Sequence, residues 1–256
     1  MLKTFDPKNI DPSRTLNVSY IVLDCIFLAL LTALLIYQKK YLTLIFALFG
    51  AILYVIVDFG IFYAALGSRH VTNNFVDKMN NNEFGVSNTF WFLLWLSTSY
   101  GMTNFVLIWL ALKKDKNLKY YATLIVIWWF CAPLLSEMAP SSQENKIHIW
   151  RETGNYHWVM ALILVIGYFG AIIYNIISKK EKMPIFRMLA IGILVQFGWE
   201  LALLVNNIRE FKFGPLVIDS LIETNLGIPY IWWIQKVVNK YVSEDFSPRS
   251  KIEVLE

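Results

Sequence analysis

The sequence predicts an all-α polytopic membrane protein, a bundle of seven transmembrane helices with the N-terminus outside and the C-terminus in the cytoplasm. Three observations lead there. The first is composition: 57% of the 256 residues are hydrophobic and 16% aromatic, and the mean hydropathy of +0.48 lies outside the range of ordinary soluble domains. The second is patterning, because the apolar residues gather into seven runs of roughly 20, about the length an α-helix needs to cross the hydrocarbon core. The third is the placement of Lys and Arg. The links after the first, third and fifth runs hold two, four and four, and the end from Lys236 onward holds four. The N-terminus holds three, and the remaining loops, though longer, hold two each. The positive-inside bias therefore puts the first set in the cytoplasm.

Taken in order, the first span runs from about Tyr20 to Gln38 and is closed by Lys39-Lys40. The second covers about Tyr41 to Tyr63, followed by a long Asn-rich loop. The third, about Thr89 to Leu112, is rich in Trp and interrupted by Ser97-Thr98-Ser99 and Asn104. The fourth, about Tyr120 to Glu137, holds Pro133 near its exit, where a proline can kink or end a membrane helix. The fifth runs from about His157 to Ser178, with Pro184 beyond it suited to a first helical turn. The sixth is MLAIGILVQFGWELALLVNNIR, Met188 to Arg209, and the seventh runs from about Ile222 to Tyr241. Residues 1–241 thus read as one transmembrane domain and 242–256 as a charged, disordered cytoplasmic tail. The polar N-terminus lacks a small-residue cleavage site after an apolar core, so the first span is expected to stay in the chain.

Several function classes fall away. The net charge of +4 sits in short loops between spans, where it signals topology rather than nucleic-acid binding. Cys25 and Cys131 both lie in apolar runs and behave as small hydrophobes, giving no disulfide framework or zinc spacing. His148 and His157 match no metal signature, and no cofactor is implied.

What the chain does carry is carboxylates at bilayer depth. Glu200 stands inside an apolar run, where an ionised carboxylate costs about 2.5–3.5 kcal/mol even on a lenient scale, so it must face protein, water or a ligand. The orientation places Asp58 in the outer third of the second span and Glu223 at the outer start of the seventh. Asp24, Glu137 and Glu152 fall on the same side. A polar chamber opening toward the non-cytoplasmic face or outer leaflet accounts for all of them, with Asp58, Glu200 and Glu223 as its chemical groups. Asp24, Glu137 and Glu152 are also explained by interfacial hydration, and Glu223-Thr224 by helix capping.

Around these acids stand candidates for substrate contact. Arg209, near the outer mouth, offers a planar donor to an anionic group or to Glu223. Trp199 adjoins Glu200, and Trp95 shares a helical face with Trp91; packing explains each alone, whereas a π face in the chamber would suit a cation. Asn225 and Tyr230 open the seventh span, and Glu152 and His157 open the fifth.

The layout resembles the small seven-span membrane terpene cyclases of fungal meroterpenoid and indole-diterpene pathways. The resemblance rests on VDFGIFYAAL with Asp58 in the second span and ETNLGIPYIWWIQKVVNK with Glu223 in the last. It departs in one respect, since that family's Trp-Glu pair lies in the second span and the pair here is Trp199-Glu200 in the sixth. The resemblance implies that one acid protonates an isoprenoid chain, aromatic faces steady the cation and a second acid completes the proton transfer. The expected function is then an enzyme on a lipid-like, isoprenoid substrate that enters laterally, in the cell membrane. A small-solute or proton-coupled transporter is the rival, because Asp58 and Glu200 lie at comparable depths, each near a Phe-Gly pair, within a three-plus-one-plus-three arrangement.

Overall fold

A computed structural model of the chain describes residues 14–73, 85–139, 146–151, 157–179, 181–209 and 211–247. In order, the elements are β1 (Arg14–Asn17), α1 (Val18–Tyr37) and α2 (Tyr41–Val55), which runs on as a π-helical stretch over Ile56–Ala65. Then come β2 (Arg69–Asn73), α3 (Val86–Lys113), α4 (Leu118–Glu137) and β3 (Lys146–Arg151). α5 (His157–Ile177), α6 (Ile185–Val205) and α7 (Phe213–Ile222) follow, and a 3-10 turn over Asn225–Gly227 leads into α8 (Ile228–Tyr241). Among the described residues six helices are long and apolar enough to cross a membrane, which makes this an integral membrane protein: α1, α2 with its π extension, α3, α4, α5 and α6. Their outer faces expose rows such as Val22, Ile26 and Leu30 on α1 and Leu162, Val165 and Phe169 on α5. A bilayer solvates such rows, whereas water would not.

α3 is the axis of the bundle. It is the least apolar of the six, yet 83% of its apolar stretch is buried, against 11% for α5. The two facts have one cause: a helix surrounded by other helices need not be oily, and small or hydroxylated residues let neighbours approach closely. At Gly101 an added Cβ would lie 2.9 Å from the Ala51 Cα, and at Gly50 it would strike the Phe105 ring. α2 therefore lies against α3 along most of its length.

One end of the bundle carries a feature beyond the helices expected from sequence. β1, β3 and β2 pair antiparallel, in that order across the sheet, using three segments that read as polar loops. β3 did carry the alternation of a half-buried strand in KIHIWR, with Ile147, Ile149 and Arg151 facing inward. The sheet feeds α1 directly: Asn17, last residue of β1, caps the helix by accepting from the Ser19 amide at 2.9 Å and donates to the Ser136 carbonyl at 3.2 Å.

The expected seventh span also differs. Glu223 to Gly227, read as its start, instead form a break between α7 and α8, and the 14 residues of α8 cover only about 21 Å. At the opposite end of the bundle the tail is not loose as far as Ser247. The Leu42 amide donates to the Glu244 carbonyl at 3.0 Å. The Glu244 carboxylate accepts from Thr43, Trp109 and Lys113.

Candidate functional site

The acids do converge at the sheet end of the bundle, each brought by a different interruption of regular structure. Asp58 lies in the π-helical stretch, a local widening that often marks functional positions. It is 3% exposed, and its Oδ2 accepts from Arg69 of β2 at 2.9 Å and from Ser97 of α3 at 3.4 Å. Its Oδ1 accepts no hydrogen bond among the described residues.

Glu223 lies in the break between α7 and the 3-10 turn. Arg151 of β3 donates to its Oε1, and the Gln196 amide of α6 donates to its Oε2 at 3.2 Å. The same Gln196 nitrogen reaches Glu200 Oε1 at 3.3 Å, and Gln196 Oε1 accepts from Thr224 at 2.6 Å. Gln196 is thus a bridge, its two amide hydrogens serving two carboxylates and its carbonyl a hydroxyl.

Glu200 is fully buried and held by two guanidiniums, Arg14 at 3.2 Å and Arg209 at 2.5 Å. The two arginines are themselves juxtaposed by a β-bridge, with the Thr15 amide bonded to the Ile208 carbonyl at 2.8 Å. Arg69, on β2, sits near both Arg151 and Arg14. Burial, opposed by Asp58 and reinforced by the other two arginines, holds its guanidinium below the ordinary arginine value.

A cavity of about 330 Å³ opens beside this network. Asp58, Arg151 and Glu223 form its polar end. Tyr54, Tyr100, Phe62 and Phe105 give it aromatic walls, and Leu53 and Ile234 extend it toward the middle of the bundle. The Arg151 guanidinium also lies over the Phe62 ring, 5.2 Å from its centre. α2 and α8 both pack on α3, but α2 makes no extended contact with α5 or α8 among the described residues. The cavity is therefore a cleft with α3 as its floor.

The residues expected to touch substrate separate into groups. Tyr230 lines the cavity while its hydroxyl donates to the Ile163 carbonyl at 3.0 Å. Arg209 forms its ion pair with Glu200, and the ion pair of Glu223 is with Arg151 instead, leaving Arg209 to act on Glu223 through its charge. Trp95 points elsewhere: with Trp128 it clamps Asp24 from both sides, at 3.1 and 3.0 Å, which explains how that buried acid is tolerated between α1, α3 and α4. Trp199 stacks on Tyr100 and meets Trp129 edge-on, as packing rather than cavity wall. Asn225 is a clamp, accepting from Tyr168 at 3.1 Å and pressed so close to Gly192 that a Cβ there would lie 2.1 Å from its Oδ1. His157 begins α5, and its side chain, like the whole of Glu152, lies outside the described residues.

Sequence reasoning missed Gln196, Arg69, Arg151, Tyr54 and Tyr100. The arginines entered it only as loop charges, and Gln196 was neutral and therefore unmarked. Its signal was present, since Gln196 precedes Glu200 by one helical turn and must share its face. No group of three or more potential metal ligands occurs among the described residues. No family model, curated protein or solved structure matches the chain, so the functional reading rests on this geometry.

Proposed function

We propose that this protein is an integral membrane enzyme that rearranges a lipid-like, isoprenoid-type substrate by carboxylic acid and base chemistry. The observation that carries the reading is the cleft in which Asp58, from the π-helical stretch, and Glu223, from the break after α7, share the polar end of an otherwise apolar and aromatic cavity. These are also the two acids singled out by the resemblance to membrane terpene cyclases. The roles follow from occupancy. Asp58 has one oxygen pinned by Arg69 and Ser97 and the other left for substrate, so it handles the proton. Glu223, locked to Arg151, is the fixed anion that faces a developing cation, with the rings of Tyr54, Tyr100 and Phe105 beside it. Asp58 gives a proton to the substrate at the start and takes one back from the final cation, so the product is an isomer and no cofactor is consumed. Glu200 is removed from the catalytic set, because both of its oxygens are engaged by guanidinium donors.

In this reading α7, the turn and α8 together make the seventh crossing. The sheet end faces outward and the tail end lies in the cytoplasm beneath the cell membrane. The loop charges support that orientation, and the lateral cleft suits entry from the lipid. A C-terminal tag should be reached by antibody only after cells are permeabilised, and an N-terminal tag without permeabilisation; the reverse pattern would refute the orientation.

The test of chemistry is turnover by purified protein in nanodiscs, with no ion gradient, on a prenylated lipid fraction analysed for products of unchanged mass and altered retention. Asp58→Asn and Glu223→Gln should each lower turnover by at least about a hundredfold. Full activity in both variants would reject the carboxylate mechanism.

One observation favours the transporter instead. Two interrupted helices, the π-helical stretch at Asp58 and the break at Glu223, face each other across the cleft, as discontinuous helices do at transport sites. Proton-coupled uptake into proteoliposomes, without chemical change of the solute, would decide for it.

A further inference from the structure

A second polar centre lies deeper beside the same cleft. Asn104 of α3 is completely buried, and neither its amide nitrogen nor its amide oxygen has a hydrogen-bond partner among the described residues. At 100° per residue, Asn104 projects midway between Tyr100 and Ile108, one turn before and one turn after it, and both of those residues line the cleft. Tyr54, from the facing wall, lies beside both Asn104 and Tyr100, and the Tyr54 and Tyr100 rings are 4.2 Å apart. The amide thus sits just behind a wall made of two phenols. The Tyr54 hydroxyl lies near enough to act on this amide without closing a hydrogen bond of ordinary geometry, and an amide buried at this depth without such a bond is destabilising unless something else meets it.

Its height relative to the head of the cleft is fixed by the helix. Ser97, which donates to Asp58, is seven residues earlier on the same face of α3. Seven residues at 1.5 Å place Asn104 about 10 Å deeper than Ser97, the hydroxyl that meets Asp58.

We propose that Asn104, with Tyr54 and Tyr100, recognises a second oxygen function on the ligand, so that the cleft takes a bifunctional amphiphile whose two polar groups lie about 10 Å apart along one chain. This rests on the reading of the cleft as a lipid-substrate site and specifies the substrate class. A site built to hydrogen-bond one oxygen rejects an analogue that lacks it or carries it at the wrong place, because the buried partner is then left unpaired.

Three labelled probes test the idea by equilibrium dialysis against protein in nanodiscs, with empty nanodiscs as the blank. They are 1,8-dodecanediol, whose hydroxyls span the required separation; 1,4-dodecanediol, of equal polarity but wrong spacing; and 1-dodecanol. The native protein should bind the 1,8 isomer at least about tenfold more tightly than the 1,4 isomer, and Asn104→Leu should bring that ratio close to one. Asn104→Leu should also unfold at a higher temperature when no ligand is present, since it removes an unsatisfied amide. Equal binding of the two isomers by native protein overturns the inference while leaving the cleft as a lipid site, and shows that Asn104 meets only buried water. That comparison needs no variant to fold. Failure of all three probes to exceed the blank overturns the reading of the cleft, and this inference falls with it.

Discussion

At the scale of single residues, the question is what a buried carboxylate is for, and its donors answer. Glu200 and Asp58 look alike in sequence, each an acid in an apolar run near a Phe-Gly pair. Glu200 has Arg14, Arg209 and Gln196 on it, while Asp58 keeps one oxygen free among the described residues. Removing one member of a buried charge group strands the others, at a cost of about 3–5 kcal/mol. Glu200→Gln should therefore lower the unfolding temperature in detergent far more than Asp58→Asn, which leaves a single arginine with an amide in place of its partner. Similar stability in both variants would mean that Glu200 does not hold the sheet to the bundle. The sequence marks both acids by their place in apolar runs. It could not tell an acid with both oxygens held from one with an open oxygen, because the difference resides in arginines 186 and 9 residues away.

At the scale of elements, close approach decides which helices can be neighbours. Gly192 of α6 admits Asn225, and through it ties the break before α8 to Tyr168 of α5. Gly192→Ala should displace Asn225, cost about 1–3 kcal/mol as an overpacked site, and reduce any turnover that depends on Glu223 two residues away. Gly60, in the π-helical stretch, meets nothing within 4 Å. Gly60→Ala should be neutral or slightly stabilising, by up to about 1 kcal/mol from helix propensity. Thermal unfolding of the two variants side by side checks the contrast. Both residues are glycines in apolar helices, and nothing local separates them; the neighbour does.

For the whole molecule, the two ends of the bundle are fastened differently. The sheet end uses buried arginine-acid pairs, whereas the tail end uses Glu244, Lys113, Lys40 and Asp115. Burial alone would raise the Glu244 carboxyl, but hydrogen bonds and charge from Lys113, with Thr43 and Trp109, outweigh it and hold the group below the ordinary value of 4.5. Asp115 is likewise held down: burial acts against it, and Lys40 and the Asn117 amide prevail. A depressed carboxylate contributes stability in full above its unfolded value, and loses it as pH falls through the folded one. The unfolding temperature should thus be flat from pH 7 to about 5 and fall below that, and Glu244→Gln should be less stable at neutral pH and show a shallower acid decline. An unchanged acid limb in Glu244→Gln would mean that the tail is not fastened there.

By itself the sequence determined six of its seven expected spans, as long apolar helices, and the grouping of Asp58, Glu200 and Glu223 at one end, because the length and polarity of a span are set by the bilayer, a solvent that acts on each helix locally. It also held the alternation of β3, which passed unnoticed inside a polar loop. Tertiary structure alone decided the pairing of β1, β3 and β2, the choice of Arg151 over Arg209 for Glu223, the clamp on Asp24 by Trp95 and Trp128, and the cleft that leaves Asp58 open. Each of these is a contact between segments far apart in the chain, fixed by which small residues let helices close and which guanidinium arrives within reach. Local pattern carries no record of either.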